Sequence, residues 1–119
     1  MLDLSRVAYA LSDPLRIRIL DLLAQARCQA CSSPANPEMP EAICACDLVP
    51  QLGNMTPSRL AYHLKVLRLT GLIAERRRGK WVYYTLDAAA FERFAGVVAE
   101  RFAAPRPSAV RRCGGRSTT

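Results

Sequence analysis

The sequence predicts one mostly helical α+β domain, and three observations carry that prediction. A capping residue followed by proline starts a helix, and this signal occurs twice, at 12–14 and at 54–57. Apolar residues recur at helical spacing around these signals. Residues 81–86 instead alternate between two faces, which is typical of a strand. With 119 residues, 50% of them hydrophobic, the chain is long enough for one core and is not wholly disordered.

Two helices are predicted before the first long loop. The first covers residues 2–11, where apolar residues lie at helical spacing. The second begins at Pro14 and ends near Ala26. Its inward apolar stripe is formed by Leu15, Ile19, Leu22 and Leu23. Proline, asparagine and serine dominate residues 28–40, so a loop is predicted there.

A helix-turn-helix is predicted in the middle of the chain. A short helix over 46–52 ends at Gly53, and the signal at 54–57 opens a second helix that runs to about Thr70. Gly71 stands where a left-handed residue commonly ends a helix.

A basic hairpin and a final helix complete the predicted domain. Strands over 72–77 and 81–86 flank a turn at 78–80, and the last helix covers 88–103. A capped helix, a tight turn, a second capped helix and a basic hairpin, in this order, predict a winged helix-turn-helix.

The formal net charge of +7 is concentrated in two places. Residues 59–80 carry seven basic side chains and one acidic, and the tail at 105–119 carries four basic and none acidic. A basic stripe inside a folded domain favours a nucleic-acid partner, and a solvated surface is the alternative. The tail is rich in Pro, Gly, Arg and Ser and is predicted to be disordered, which leaves residues 1–104 as the folded domain.

The helix predicted over 57–70 has two different faces. Leu60, Leu64 and Leu67 lie together and are expected to pack on the domain, whereas polar groups lie broadly opposite, where they can reach bases and phosphates. The residues predicted to contact DNA, here and on the hairpin, are Thr56, Ser58, Arg59, Tyr62, His63, Lys65, Arg77, Arg78 and Lys80. For His63, the one histidine, a half-buried structural role is the first interpretation and a phosphate contact the second.

Four of the five cysteines cluster, at Cys28, Cys31, Cys44 and Cys46. Because the N-terminus shows no export signal, reduced thiols in a cytoplasmic protein are expected. Two closely spaced pairs on either side of a proline-rich loop can clamp a soft, thiophilic ion. A structural zinc site and a thiol–disulfide switch are alternatives. Cys113, in the tail, is expected to take no part.

Three segments carry a family resemblance: ICACDL at 43–48, the leucine-bounded stretch at 60–64 and GKWVYY at 79–84. Over roughly residues 1–104, the chain resembles the arsenical-resistance repressor (ArsR) family. The resemblance implies a homodimeric winged-helix repressor that leaves its operator DNA when a toxic metal or metalloid binds.

The resemblance also implies a ligand set. The family's thiolate box stands at the start of the helix before the recognition helix, so Cys44 and Cys46 become ligands. Some arsenite sensors of the family place a third cysteine one turn later, where this chain has Val49. Cys28 and Cys31 are therefore the candidates for the missing ligand, in a metal-binding loop over residues 28–46.

Charge and composition narrow the choice of ion. Three thiolates around a trivalent centre give a neutral site, whereas four around a divalent ion leave a negative site beside Glu41 and Asp47. Residues 88–104 contain no histidine, so the zinc site of other family members is absent. The expected inducer is arsenite or antimonite, As(III)/Sb(III), with Cd(II), Pb(II) or Zn(II) as alternatives.

The terminal helices are expected to form a two-fold homodimer, because they offer more apolar surface than such helices should leave in water. The interface residues predicted on them are Leu4, Val7, Leu11, Phe91, Phe94, Val98 and Phe102. Such a dimer reads a pseudo-palindromic duplex. A small thiol oxidoreductase or metal carrier is the competing class, and the basic stretch at 59–80 counts against it. No apolar run approaches the roughly 18 residues of a membrane helix, so no membrane partner is expected.

Overall fold

The structure, a computed structural model, describes residues 3–29, 42–53 and 55–103, and of residues 27–29 the backbone alone. The predictions for Cys31, for Cys113 and for the tail fall outside these residues. Within them, no helix is long and apolar enough to cross a membrane.

Two helices open the domain, α1 (Leu4–Ala10) and α2 (Pro14–Gln29). The Asp13 carboxylate caps α2 by accepting hydrogen bonds from two backbone amides of its first turn, at 2.7 and 3.4 Å. α2 continues beyond Ala26, so the prediction that the loop begins at Cys28 is wrong. The sequence at this point contains no helix breaker, and the prolines that exclude a helix come later.

The segment after the loop begins with a strand that the sequence analysis did not predict, β1 (Ile43–Cys44). It is followed by α3 (Ala45–Leu48) and a 3-10 turn (Val49–Leu52), where a single helix was predicted. The helix changes character there because Pro50 has no backbone N–H for an α-helical hydrogen bond. Gly53 then reverses the chain with φ 78°, a left-handed conformation that favours glycine.

The second helix of the helix-turn-helix is α4 (Pro57–Leu69), close to its predicted bounds. Thr56 caps it, because the Thr56 hydroxyl accepts a hydrogen bond from the Arg59 amide at 3.2 Å. Gly71, with φ 82°, leads out of the helix in the conformation that the sequence predicted.

A three-stranded antiparallel sheet in the order β1-β3-β2 follows, with β2 (Ile73–Arg78) and β3 (Trp81–Leu86) forming the predicted hairpin. We call this hairpin the wing. The short β1 pairs with β3, so that Cys44 lies opposite Tyr83. A mostly helical domain with a small antiparallel sheet confirms the predicted fold class.

The chain then forms α5 (Ala88–Val98) and a final π-helical turn (Ala99–Ala103), capped at the start by Asp87. The core lies between α1, α2, α4 and the sheet. Its most deeply buried large side chains are Val7, Ile19, Leu23, Leu48, Leu67 and Leu72. Because Val7 is only 1% exposed, its assignment to the dimer surface is wrong: it belongs to the core of the protomer.

Candidate functional site

Cys44 and Cys46 bring their sulfurs together at the head of α3. The two Sγ atoms are 2.7 Å apart, and neither cysteine is in a disulfide. Residues two apart point to different sides of a regular helix. Cys44, however, is the extended capping residue, and its Sγ accepts a hydrogen bond from the Cys46 amide at 3.4 Å. Cys44 is buried and Cys46 is exposed, so an ion can reach the pair from the solvent side.

The Cys46 thiol lies in a partly negative environment beside Cys44 and Asp47. The hydrogen bond with Cys44, then burial, then the charges of Cys44 and Asp47 raise the pKa of Cys46 to about 11. The Asp47 carboxylate contributes because its Oδ1 lies 4.0 Å from the Cys46 sulfur. The Cys46 thiol is therefore protonated at neutral pH when no ion is bound, and an ion that binds its sulfur must displace that proton.

Two sulfurs alone do not complete a site for the predicted ions. Among the described residues, no three His, Cys, Asp or Glu side chains are grouped so that they could hold a metal ion. The backbone of Cys28 lies in the last turn of α2, and Cys31 lies outside the described part of the chain. The involvement of these two cysteines as further ligands therefore stays a prediction.

The thiol pair is connected to both parts of the predicted DNA-binding surface. Upstream, Cys44 belongs to β1, which is hydrogen-bonded to β3 of the wing. Downstream, α3 leads through the 3-10 turn and Gly53 into α4. A displacement of α3 would therefore reach α4 through the chain and the wing through the sheet.

The α4 helix presents the polar face that the sequence predicted. Its inward side is formed by Leu60, Leu64 and Leu67, which are all buried. The side chains left in solvent on the other side are Ser58, Arg59, Tyr62 and Lys65, together with the capping residue Thr56. Their contacts with DNA stay a prediction, but the arrangement leaves them accessible to a duplex.

His63 does not belong to that accessible face. It is only 5% exposed, and its Nδ1 lies 3.0 Å from a guanidinium nitrogen of Arg16. Placing His63 among the DNA-contacting residues is therefore a mistake, and the structural interpretation describes its environment. Burial, with a smaller contribution from the positive charge of Arg16, lowers the pKa of His63 below its ordinary value of 6.5, so the ring is neutral at pH 7.

The wing carries the basic residues that the sequence placed on it. Arg77, Arg78 and Lys80 are all exposed. Part of this charge is compensated by Glu75, whose carboxylate oxygens lie 3.8 Å from Arg77 Nε and 3.4 Å from Arg68 Nε. One carboxylate on β2 therefore faces two of the basic side chains around the wing.

Several known proteins are similar to this chain. No protein-family profile matches the chain. An arsenical resistance operon repressor from Escherichia coli is 43% identical over 45 residues, which are 38% of this chain and 38% of that repressor. A cadmium resistance regulator, a CadC homolog from Staphylococcus aureus, is 29% identical over 86 residues, covering 72% of this chain and 59% of that protein. A helix-turn-helix-type transcriptional regulator from Methanocaldococcus jannaschii is 32% identical over 79 residues, covering 66% of this chain and 72% of that protein.

A solved structure agrees with these relatives. It is the homodimeric winged helix-turn-helix DNA-binding domain of a possible ArsR-family transcriptional regulator from Mycobacterium bovis. It is 28% identical, with a TM-score of 0.57, and the match covers 82% of this chain and 79% of that one. The chain belongs to the ArsR family. Its relatives are transcriptional regulators, a DNA-binding class rather than enzymes, and they include arsenical and cadmium regulators.

The match to the arsenical repressors covers less than half of their length. The chain aligns with only 38% of the length of the E. coli arsenical repressor and with 41% of that of a Bacillus subtilis one. Family membership therefore does not assign an inducer to this ArsR-family protein.

The predicted dimer residues of this ArsR-family protein differ in their exposure. Phe102 is 68% exposed, which makes it the most open of them. The half-buried members of the set are Leu4, Leu11, Phe91, Phe94 and Val98. These five retain some apolar surface for a partner, and the dimer stays a prediction for this chain.

The sequence analysis missed two residues beside α4, Arg16 and Tyr9. Arg16 is only 3% exposed although it is charged, and Tyr9 on α1 contacts Tyr62. One signal could have found Arg16: it precedes Ile19 by three residues and Leu20 by four, which puts it on the buried face of α2.

The buried, neutral His63 predicts a pH dependence of stability. Because its pKa is lower in the folded than in the unfolded chain, only the unfolded chain takes up a proton as the pH falls below about 6.5. The free energy of unfolding should therefore fall from pH 6.5 downward, through the pKa of the folded state, by up to about 1.4 kcal/mol per pH unit. His63→Asn keeps an acceptor for Arg16 and does not titrate. When unfolding by urea is measured between about pH 5.5 and 7.5, the free energy of unfolding of this variant should therefore depend less on pH than that of the wild type. Equal slopes for the two proteins would contradict the assignment.

Proposed function

We propose that this ArsR-family protein represses transcription as a homodimer on a pseudo-palindromic operator and releases the DNA when As(III) or Sb(III) binds its thiolates. The observation that carries the proposal is the convergence of the Cys44 and Cys46 sulfurs, 2.7 Å apart, where β1 meets α3. The E. coli and B. subtilis relatives, named as arsenical resistance operon repressors, support this choice of ion.

The proposed ligands are Cys44, Cys46 and a third thiolate from Cys28 or Cys31. Each arsenic–sulfur bond forms as a thiol proton leaves with a hydroxyl of arsenous acid as water. The Cys46 thiol, which is protonated before binding, is therefore a suitable reactant. The product, a trivalent centre with three thiolates, carries no net charge, which suits a pair of which one sulfur is buried.

In this proposal, the release of DNA depends on the connections of the Cys44–Cys46 pair to α4 through the chain and to the wing through β1. Drawing the 28–46 loop onto an ion held by Cys44 and Cys46 would tether the head of α3. A tilt of α3 would then change the separation of the two α4 helices in a dimer, so that ion and operator disfavour each other. A coupling of about 1–3 kcal/mol weakens operator affinity about 5- to 150-fold.

Cadmium is the second candidate inducer, with a four-thiolate site formed by both cysteine pairs. The S. aureus cadmium regulator favours it, because that relative aligns over 72% of this chain. A four-thiolate cadmium site is disfavoured by its net negative charge, which would lie next to the Asp47 carboxylate.

The test is an ion titration of DNA binding. A duplex is first selected by the protein from a random library of about 30 base pairs, long enough for two half-sites one helical turn apart. Its affinity is then measured by fluorescence anisotropy with arsenite, antimonite, cadmium, lead or zinc, under a phosphine reductant that does not compete for the ion as a thiol would. Arsenite and antimonite should weaken binding about 5- to 150-fold. Release by cadmium alone would replace the metalloid by the second candidate, and no response to any ion would refute ion sensing.

A further inference from the structure

Arg16 connects the corner between α1 and α2 to the middle of α4. Its Nε donates to the Ala10 carbonyl at 2.8 Å, and its Nη2 donates to the Tyr9 carbonyl at 3.1 Å. Its Nη1 lies 3.0 Å from Nδ1 of His63, and because a guanidinium only donates, the ring nitrogen accepts. The planar fork of one buried side chain is thus hydrogen-bonded to the end of α1 and to α4 at the same time.

Tyr9 makes a second connection, on the outer side of α4. The Arg16 guanidinium lies 4.9 Å from the centroid of the Tyr9 ring, a cation–π contact. The Tyr9 hydroxyl is 2.9 Å from the hydroxyl of Tyr62, which is 49% exposed on the polar face of α4. Tyr62 and His63 are consecutive, with ring centroids 5.6 Å apart. Arg16 therefore contacts one of two neighbouring α4 residues directly and the other through Tyr9.

These contacts restrain the rotation of α4 about its own axis, which the apolar packing of this helix does not fix. Leu60, Leu64 and Leu67 hold the helix on the core, but apolar contacts have no preferred direction. Hydrogen bonds weaken steeply when their angles change, so the contacts of Tyr62 and His63, which lie about 100° apart around the helix, restrain its rotation. A rotation of about 20° moves side chains on a helix of about 10–12 Å diameter by about 2 Å, enough to break a base contact.

We propose that Arg16 is a positioning residue for DNA recognition, which sets the rotation of α4 through His63 and the direction of the Tyr62 side chain through Tyr9. The proposal rests on the proposed function, since it requires that α4 reads base edges. The proposal concerns sequence preference rather than overall affinity, because Arg16 is only 3% exposed and its guanidinium is held inside the protein, away from a phosphate on the surface.

The test compares two duplexes of equal length and base composition, one selected by the wild-type protein and one with its sequence shuffled. Arg16→Lys keeps the positive charge and loses the planar fork. We expect it to weaken binding of the selected duplex about 5- to 20-fold and to leave the shuffled duplex within about twofold. The salt dependence should not change, since no phosphate contact is lost. A merely structural role would lower the active fraction and affect both duplexes alike, and that result would overturn the proposal.

A gentler variant covers the case in which Arg16→Lys fails to fold. Tyr9→Phe keeps the ring beside Arg16 and removes only the hydroxyl. It should reduce the preference for the selected duplex and leave binding of the shuffled duplex within about twofold, because it removes only the hydrogen bond from Tyr9 to Tyr62. An unchanged preference in Tyr9→Phe would contradict the proposed route through Tyr9.

Two further measurements separate the possible failures. His63 is the one histidine, so its imidazole nitrogen resonances report the Arg16 contact directly: they should shift in Arg16→Lys and stay unchanged in Arg18→Lys, an exposed position on the same helix. If the wild-type protein selects no duplex from the library, the proposed function fails. If it does and Arg16→Lys retains the full preference, this inference alone fails.

Discussion

Cys44→Ser and Cys46→Ser should bind the selected duplex with wild-type affinity and lose release by arsenite. Serine keeps the size of the side chain and the cap on α3, because a hydroxyl also accepts a hydrogen bond from the helix amide. It does not supply the soft sulfur ligand on which a thiophilic ion depends. The response of about 5- to 150-fold in operator affinity should fall to none, measured by anisotropy under reducing conditions.

Two matched changes control this experiment. Cys113→Ser should respond to arsenite as the wild type does, because Cys113 is predicted to take no part in the site. The double change of Cys28 and Cys31 to serine should resemble Cys44→Ser, since it removes both candidates for the third ligand. If the double variant still releases the duplex at the arsenite concentration that acts on the wild type, the third ligand comes from elsewhere.

Arg59→Ala and Lys80→Ala should weaken DNA binding in two different ways. Arg59 is exposed in the first turn of α4, and the N-terminal residues of a recognition helix contact base edges. Its loss should weaken the selected duplex about 5- to 150-fold, the loss of about 1–3 kcal/mol expected for an arginine–guanine pair, and reduce discrimination against the shuffled duplex. Lys80, at the turn of the wing, should contribute phosphate affinity, so its removal should weaken both duplexes alike.

The salt dependence of binding distinguishes the two roles. Removing a phosphate contact lowers the slope of log affinity against log salt by about one, whereas removing a base contact leaves it unchanged. Lys80→Ala should therefore show the smaller slope and Arg59→Ala the wild-type slope. The reverse result would mean that the wing reads the sequence and α4 holds the backbone.

Local signals in the sequence were enough to predict the helix-turn-helix and the wing. Thr56 and Pro57 determine the start of α4 by capping and fixed backbone geometry, and Gly53 permits the left-handed turn before it. The strand β1 could not be predicted in this way. It has only two residues, and it exists because Cys44 and Ile43 pair with residues of β3 some forty positions later.

The candidate site was predictable where it depends on neighbours in the chain and not where it depends on packing. The meeting of the Cys44 and Cys46 sulfurs follows from their spacing at a helix start. The burial of His63 depends instead on Arg16, 47 residues earlier, which occupies the space beneath α4. Val7 was misassigned for a similar reason: an apolar residue on a terminal helix can face its own core as well as a partner.

The most direct test of the central claim is the arsenite affinity of the protein free and bound to its selected duplex. If ion and DNA disfavour each other through Cys44 and Cys46, linkage requires the duplex to weaken arsenite binding by the same factor by which arsenite weakens duplex binding. Isothermal titration of the wild-type protein should therefore give an affinity about 5- to 150-fold weaker in the presence of saturating duplex. Equal arsenite affinities with and without the duplex would contradict the account, because an ion that does not distinguish the two states cannot release the DNA.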